Sequence, residues 1–229
     1  MTEPLIERRK HFHQRKLLFF RLIMNCPLRI MQYADMTGHN LFKLQSAEGK
    51  NPAGVYKIHF GKDAFKNRRF IREVDYDFYL PAELSPFVDS YLLDHWPAIA
   101  GREFTPEDRV FQGQFIISKP KNVGNATKRT IAQLTKICRR TSARILGHKY
   151  KTPGFNPQAV RHVVATATIK ASGSYEDAAL LLWDSPTTVR RAYAHVKRVE
   201  QLSRASREHW ERIHARIEQA RAALAPKQA

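Results

Sequence analysis

The chain has 229 residues, 43% of them hydrophobic and 10% aromatic, enough for a packed core and against a disordered polymer. Lysine and arginine number 39 against 21 acidic residues, a net charge of +18, so the composition favours a polyanionic partner and nucleic acid first among them. The two cysteines stand outside any Cys/His cluster with metal-ligand spacing, and the longest apolar run, Leu17 to Met24, is broken by Arg21 and too short for a bilayer. With charges where a secretory leader would need a small-residue cleavage site, the expectation is a soluble cytoplasmic protein with reduced thiols.

In chain order, Leu17, Phe20, Ile23 and Met24 repeat at helical spacing within residues 6–36, and Pro27 predicts either a kink there or two helices. Residues 54–60 and 70–79 alternate as strands do, with a basic connection between them; Pro81 stops the second, and a helix over 86–96 ends before Pro97. Residues 126–146 read as a helix with Ile131, Leu134, Cys138 and Ile145 on one face. Its other face carries Lys128, Arg129, Lys136, Arg139, Arg140 and Arg144. A solvated face usually mixes signs, so a face of one sign points toward phosphates. Three helix starts follow: Asn156-Pro157, Ser174 with Asp177, and Ser185-Pro186. Residues 196–224 read as one long charged helix, with Trp210, Ile213, Ile217 and Leu224 on a narrow apolar stripe. That stripe either docks on a neighbouring copy or folds back on its own domain.

Cutting DNA without a metal needs a nucleophile, fixed cations on the phosphate oxygens and a proton donor for the leaving oxygen. Arginine suits the clamp because its planar, permanently charged fork matches two phosphate oxygens. A tyrosine nucleophile keeps the bond energy in a phosphotyrosine, so the strand can be rejoined without ATP.

Residues of these kinds occur in a recognisable order. The segment Asn156-Pro-Gln-Ala-Val-Arg-His-Val-Val-Ala-Thr166 resembles the Pro-His-x-Leu-Arg-His box of the tyrosine recombinases (phage integrases), and Leu181-Leu-Trp-Asp-Ser-Pro-Thr-Thr-Val-Arg-Arg-Ala-Tyr-Ala-His-Val196 resembles their Leu-Leu-Gly-His segment ending in Tyr-x-His-Val. Cys26-Pro-Leu-Arg-Ile-Met-Gln-Tyr-Ala-Asp-Met36 looks like the family's first box, and Gly61-Lys-Asp-Ala-Phe-Lys66 sits where its β-hairpin lysine belongs. The resemblance runs over roughly residues 10–198.

It implies a mainly helical α+β catalytic domain over residues 1–198, with a small antiparallel sheet, and a charged C-terminal helix over 199–229. Arg29 arrives too early for the helical DNA-binding domain that usually precedes this one, so no such N-terminal core-binding domain is expected. Arg29 and Arg161 would hold the phosphate, and Tyr193 would attack it. Lys62, or Lys66 in the same loop, would protonate the 5′-oxygen, with no metal or other cofactor. His162 would pack, hydrogen-bond or assist near the DNA, and Lys128, Arg129, Arg139 and Arg140 would face the backbone. The partners implied are double-stranded DNA and further copies of the chain on that DNA, with no membrane. Two catalytic-box positions depart from the pattern. Gln158 replaces a histidine and can donate a hydrogen bond but not shuttle a proton. Asp184 falls where a histidine or tryptophan is usual, with Trp183 one position off; a carboxylate there is expected to turn away or cap the next helix. These departures leave open a protein of the same fold that binds DNA without recombining it.

Overall fold

A computed structural model describes residues 5–65, 74–111, 123–150 and 154–224. The chain is mainly helical with one small antiparallel sheet. Helix α1 (Leu5–Asn25) buries Phe12, Leu18, Phe19, Leu22 and Ile23 along one stripe. Pro27 cannot continue that helix, and Arg29 is extended (φ −69, ψ 148) before α2 (Ile30–Asp35), so the proline separates two helices.

The sheet has the order β1-β2-β3, from β1 (Leu41–Lys43), β2 (Tyr56–Phe60) and β3 (Tyr76–Tyr79). Ile58 stands opposite both Leu41 and Phe78, and buries its side chain in the core. The first part of the segment read as a second strand, 70–73, lies outside the described residues, and its paired part is only Tyr76–Tyr79. β1 escaped the sequence reading because three residues are too few to show an alternation.

The helix expected over 86–96 is α3 (Ser85–Ser90), a π-helical turn (Tyr91–His95) and α4 (Trp96–Ala100). Pro97 sits inside α4 rather than after it, directly behind the π-helical turn, where Trp96 donates its N–H to the carbonyl of Tyr91 five residues back.

Helix α5 (Val123–Tyr150) buries Leu134 and Cys138, but Ile145, expected on the same face, is exposed. Its outer side presents Lys128, Arg129, Lys136, Arg139, Arg140 and Arg144 to solvent. α6 (Pro157–Ser172), α7 (Tyr175–Leu182) and α8 (Pro186–Leu224) complete the order. α8 is continuous from residue 186, so the division read at 198/199 falls inside a helix. Trp210 is 58% exposed and Ile213 only half-buried, so the apolar stripe does not fold back to bury Trp210 against its own domain.

Packing divides into two clusters. α1, α2, the sheet, α3, α4 and α5 surround one built on Phe19, Tyr33, Ile58, Trp96 and Phe111. α6, α7 and the start of α8 enclose the other, built on Ala165, Ile169, Leu182, Val189 and Tyr193. The two helical groups meet along α6, whose entry is threaded across α5. Gly154 has φ +91, and a β-carbon there would clash with the carbonyl of Arg139. The next residue, Phe155, donates its N–H to Ser142 Oγ (2.7 Å). Gly154→Ala is expected to lower stability by about 1–3 kcal/mol, from overpacking against backbone and a left-handed conformation an L side chain resists. Urea unfolding of the variant checks this; an unchanged midpoint would show that α6 is not seated on α5 in this way.

Candidate active site

Asn156 caps α6 by accepting the N–H of Ala159 at Oδ1 (2.9 Å), and Pro157 follows at the first helical position. From that start, Pro157, Val160, Arg161, Ala165 and Ile169 fall on the buried face. Arg161 is thus carried into the interior by helical periodicity, and there it acts as a clasp. Its guanidinium donates one hydrogen bond to the carbonyl of Pro27 and another to that of Leu182 (3.2 Å). The first acceptor lies in the break after α1 and the second at the end of α7. Burial pushes the arginine's pKa down, and the neighbouring Arg29 pushes the same way; Asp184 pushes it back up. Starting from so high an intrinsic value, the group stays cationic.

α7 begins at Ser174, whose hydroxyl accepts the N–H of Asp177 (3.0 Å), and ends where Trp183 enters the left-handed region (φ 50, ψ 56). Trp183 is the single non-glycine residue with positive φ among those described, at a backbone cost of about 1 kcal/mol or more. Its ring packs against Phe65 (6.0 Å between centroids) and Tyr76 (4.9 Å), as a core tryptophan. The tight turn then aims Asp184 inward. One carboxylate oxygen lies 3.0 Å from Nη2 of Arg29 and 3.9 Å from Nη2 of Arg161, and the other accepts the N–H of Ser185 (3.0 Å). Of the two expectations for Asp184, it does not turn away but faces the arginines, while its bond to the Ser185 N–H places it at the start of the next helix. Opposite charges attract across this partly buried junction, and the carboxylate turns to the cations.

Ser185 caps α8 by accepting the N–H of Thr188 (3.1 Å), with Pro186 next. Val189 and Tyr193, one turn apart, share the buried side of this helix. Tyr193 is 5% exposed, and its hydroxyl lies 2.6 Å from Nδ1 of His162, which is itself at the surface. Burial raises the phenol's pKa; Arg161 opposes that shift and Asp184 adds to it. The phenol is therefore protonated near neutrality and shares a hydrogen bond with an imidazole nitrogen, whose tautomer sets which of the two donates. His162 thus hydrogen-bonds the tyrosine, one of the roles expected of it.

Beneath these groups is a layer to which the sequence reading gave no role, although Cys26 and Tyr33 lie within the segment that resembles the first box. Cys26 Sγ is 3.0 Å from the hydroxyl of Tyr76, and the hydroxyl of Tyr33 donates to the Cys26 carbonyl. Burial pushes the Cys26 thiol up to about 12, so it is an inert packing group.

The remaining expected residues lie at the rim or elsewhere. Lys62 is exposed at the start of a 3-10 turn, Lys62–Ala64, whose carbonyl at Ala64 accepts from Gln32 Nε2 of α2 (2.9 Å). That bond holds the lysine-bearing segment beside the helix that Arg29 opens. Lys66 lies outside the described residues. Gln158 is exposed in the first turn of α6. Lys128, Arg129, Arg139 and Arg140 are exposed on α5, apart from the cluster. A cleft of about 850 Å³ opens between α1 and α5, lined by Arg9, Lys10, His13, Lys16, Lys136 and Arg140. Among the described residues no three His, Cys, Asp or Glu side chains group as a metal site, and no helix is long and apolar enough to cross a membrane.

Arg29, Arg161 with His162, and Asp184 with Tyr193 thus come from three separate stretches of sequence and gather where the two packing clusters join, Tyr193 near enough to Arg161 and Asp184 to feel their charges. Chemically, the arrangement offers two cations for an anion and a buried hydroxyl with an imidazole nitrogen beside it. No protein-family model matches this chain, and no curated protein matches it.

Proposed function

We propose that the chain breaks and rejoins DNA through a tyrosyl intermediate, in the manner of the tyrosine recombinases that its motifs resemble. The observation that carries this reading is the convergence of Arg29, Arg161, His162 and Tyr193, the residues the motifs single out, at one junction. Arg29 and Arg161 bind the non-bridging oxygens of the scissile phosphate and stabilise the charge that builds there. Tyr193 attacks phosphorus as its proton passes to Nδ1 of His162. A bond forms between the phenolic oxygen and phosphorus, and the bond from phosphorus to the 5′-oxygen breaks. The 5′-oxygen takes a proton from Lys62, or from Lys66 in the same loop, leaving a 3′-phosphotyrosyl link and a free 5′-hydroxyl. Attack by a 5′-hydroxyl from another strand reverses the sequence and returns the proton.

Covalent trapping on duplexes from DNA flanking the gene tests the proposal. A nick just downstream of the cut lets the short 5′-hydroxyl fragment diffuse away, so the cleaving protein stays attached to its strand. Failure to trap on any such duplex, with binding retained, would support the second reading, a DNA-binding protein that does not cut. The ion pairs of Asp184 with both arginines favour that second reading. Recombination would bring several protomers together on two duplexes, and the exposed Trp210 on α8 suits a contact between copies.

The basic side of α5 gives this reading a quantitative consequence. Each phosphate neutralised lowers the slope of log affinity against log salt by ~0.9. Replacing Lys128 and Arg129 by alanine together is expected to make the slope shallower by ~0.9 to 1.8. Filter binding across a salt series reads it, and an identical slope would place the start of α5 away from DNA.

A further inference from the structure

Arg29, Arg161 and Asp184 form one unit whose geometry has its own consequence. Two guanidinium groups approach a single carboxylate oxygen, at 3.0 Å and 3.9 Å. A pair of arginines meets a non-bridging phosphate oxygen in the same way, and a carboxylate, like a phosphodiester, is a monoanion with two equivalent acceptor oxygens. We propose that Asp184 is a resident counter-anion which fills the phosphate seat of the free protein, so that a phosphodiester enters only by displacing it. This concerns the regulation of the site and rests on reading that site as a phosphodiester seat.

The neighbouring contacts fit displacement better than a fixed structural pair. Arg161 is oriented independently of the carboxylate, by the carbonyls of Pro27 and Leu182. The Arg29 side chain is 35% exposed, so it opens to solvent on the side from which a ligand would arrive, with Asp184 at 9% behind it. While Asp184 stays in place, the trio carries one net positive charge instead of two, and a second anion would be repelled at short range. The carboxylate is also mounted on a turn with a reason to move. Trp183, immediately before it, holds the left-handed backbone conformation, and its ring touches Phe65 and Tyr76. Phe65 closes the segment that begins at Gly61 and carries Lys62. A duplex that shifts this segment would reach the Asp184 turn by direct contact through Phe65 and Trp183.

The test uses the full chain with inorganic phosphate and a nicked duplex as probes. Asp184→Asn removes the charge while keeping an acceptor for the Ser185 N–H. By calorimetry it should bind phosphate at least about ten-fold more tightly than the unsubstituted protein, since one like charge beside the seat is gone. Adding Arg29→Ala should erase that gain. A folded Asp184→Asn protein that binds phosphate no more tightly, or more weakly, overturns the proposal and makes Asp184 a positioning residue for the arginines. Should the substitution prevent folding, amide exchange in the unsubstituted protein decides. Saturating phosphate should speed exchange at Ser185 as its acceptor leaves, and unchanged exchange under saturation overturns the proposal. The two readings fail separately. Tighter phosphate binding with no covalent adduct from either protein upholds displacement and removes strand cleavage. Adducts from the unsubstituted protein, with no gain in phosphate affinity on substitution, do the reverse.

Discussion

Tyr193→Phe is expected to abolish covalent attachment to nicked DNA, with DNA affinity and thermal stability nearly unchanged. The substitution removes one oxygen and leaves a ring of the same shape in the same packing, between Val189 and the α6 face. What it loses is the nucleophile and the 2.6 Å hydrogen bond to His162. That bond ends on a surface imidazole that water can solvate, so its removal should cost about 1 kcal/mol or less. The adduct, by contrast, needs the phenolic oxygen, and the nearby Cys26 thiol is no substitute because it is buried and held protonated. Denaturing gels after incubation with a labelled nicked duplex give the comparison. Adduct formation by the phenylalanine variant at the rate of the unsubstituted chain would remove Tyr193 from the chemistry.

Arg161→Ala is expected to have the largest combined effect, because this one side chain both clasps the fold and, in the proposed mechanism, holds the scissile phosphate. Truncation leaves the carbonyls of Pro27 and Leu182 without their donor and Asp184 without one of its two cations. Removing one partner from a buried charged network typically costs about 3–5 kcal/mol, so the melting transition should fall clearly. Loss of one preorganised donor from the developing charge should also slow cleavage by roughly 10²–10³-fold. Arg161→Lys should recover part of the stability and little of the rate, since an ammonium cannot reach both carbonyls and the phosphate with a planar fork. Arg29 provides the contrast. It is partly exposed and, among the described residues, pairs with Asp184, so Arg29→Ala should cost about 1 kcal/mol or less while slowing cleavage comparably. Equal melting temperatures for Arg161→Ala and the unsubstituted protein would refute the clasp. Equal cleavage rates would refute the clamp.

Much of the local architecture could be read from short stretches of chain. The break at Pro27 follows from a ring that excludes its own N–H from a helix. The starts of α6, α7 and α8 follow from Asn156, Ser174 and Ser185, whose side chains accept the backbone N–H groups that a first helical turn leaves over. The strands at 56–60 and 76–79 show in their alternation. Each of these depends on residues a few positions apart, so the sequence alone determines them.

The tertiary structure decided what depends on residues far apart in sequence. Nothing in the motif around Arg161 says that its guanidinium ends on the carbonyl of Pro27, and nothing around Trp183 says that its ring meets Phe65 and Tyr76. Ile145 has the spacing of a core residue, seven positions after the buried Cys138, yet its side chain is exposed. Asp184 is the sharpest case. Read along the chain, it was a carboxylate judged against an imagined phosphate, and repulsion would turn it outward. In the folded protein it stands beside two arginines carried there by α2 and α6, and across this partly buried junction the attraction between opposite charges sets its direction. Helix signals are short-range and survive in a linear reading. Charge pairing across a fold is long-range, and its sign and strength are known only once the folded chain has brought the partners together.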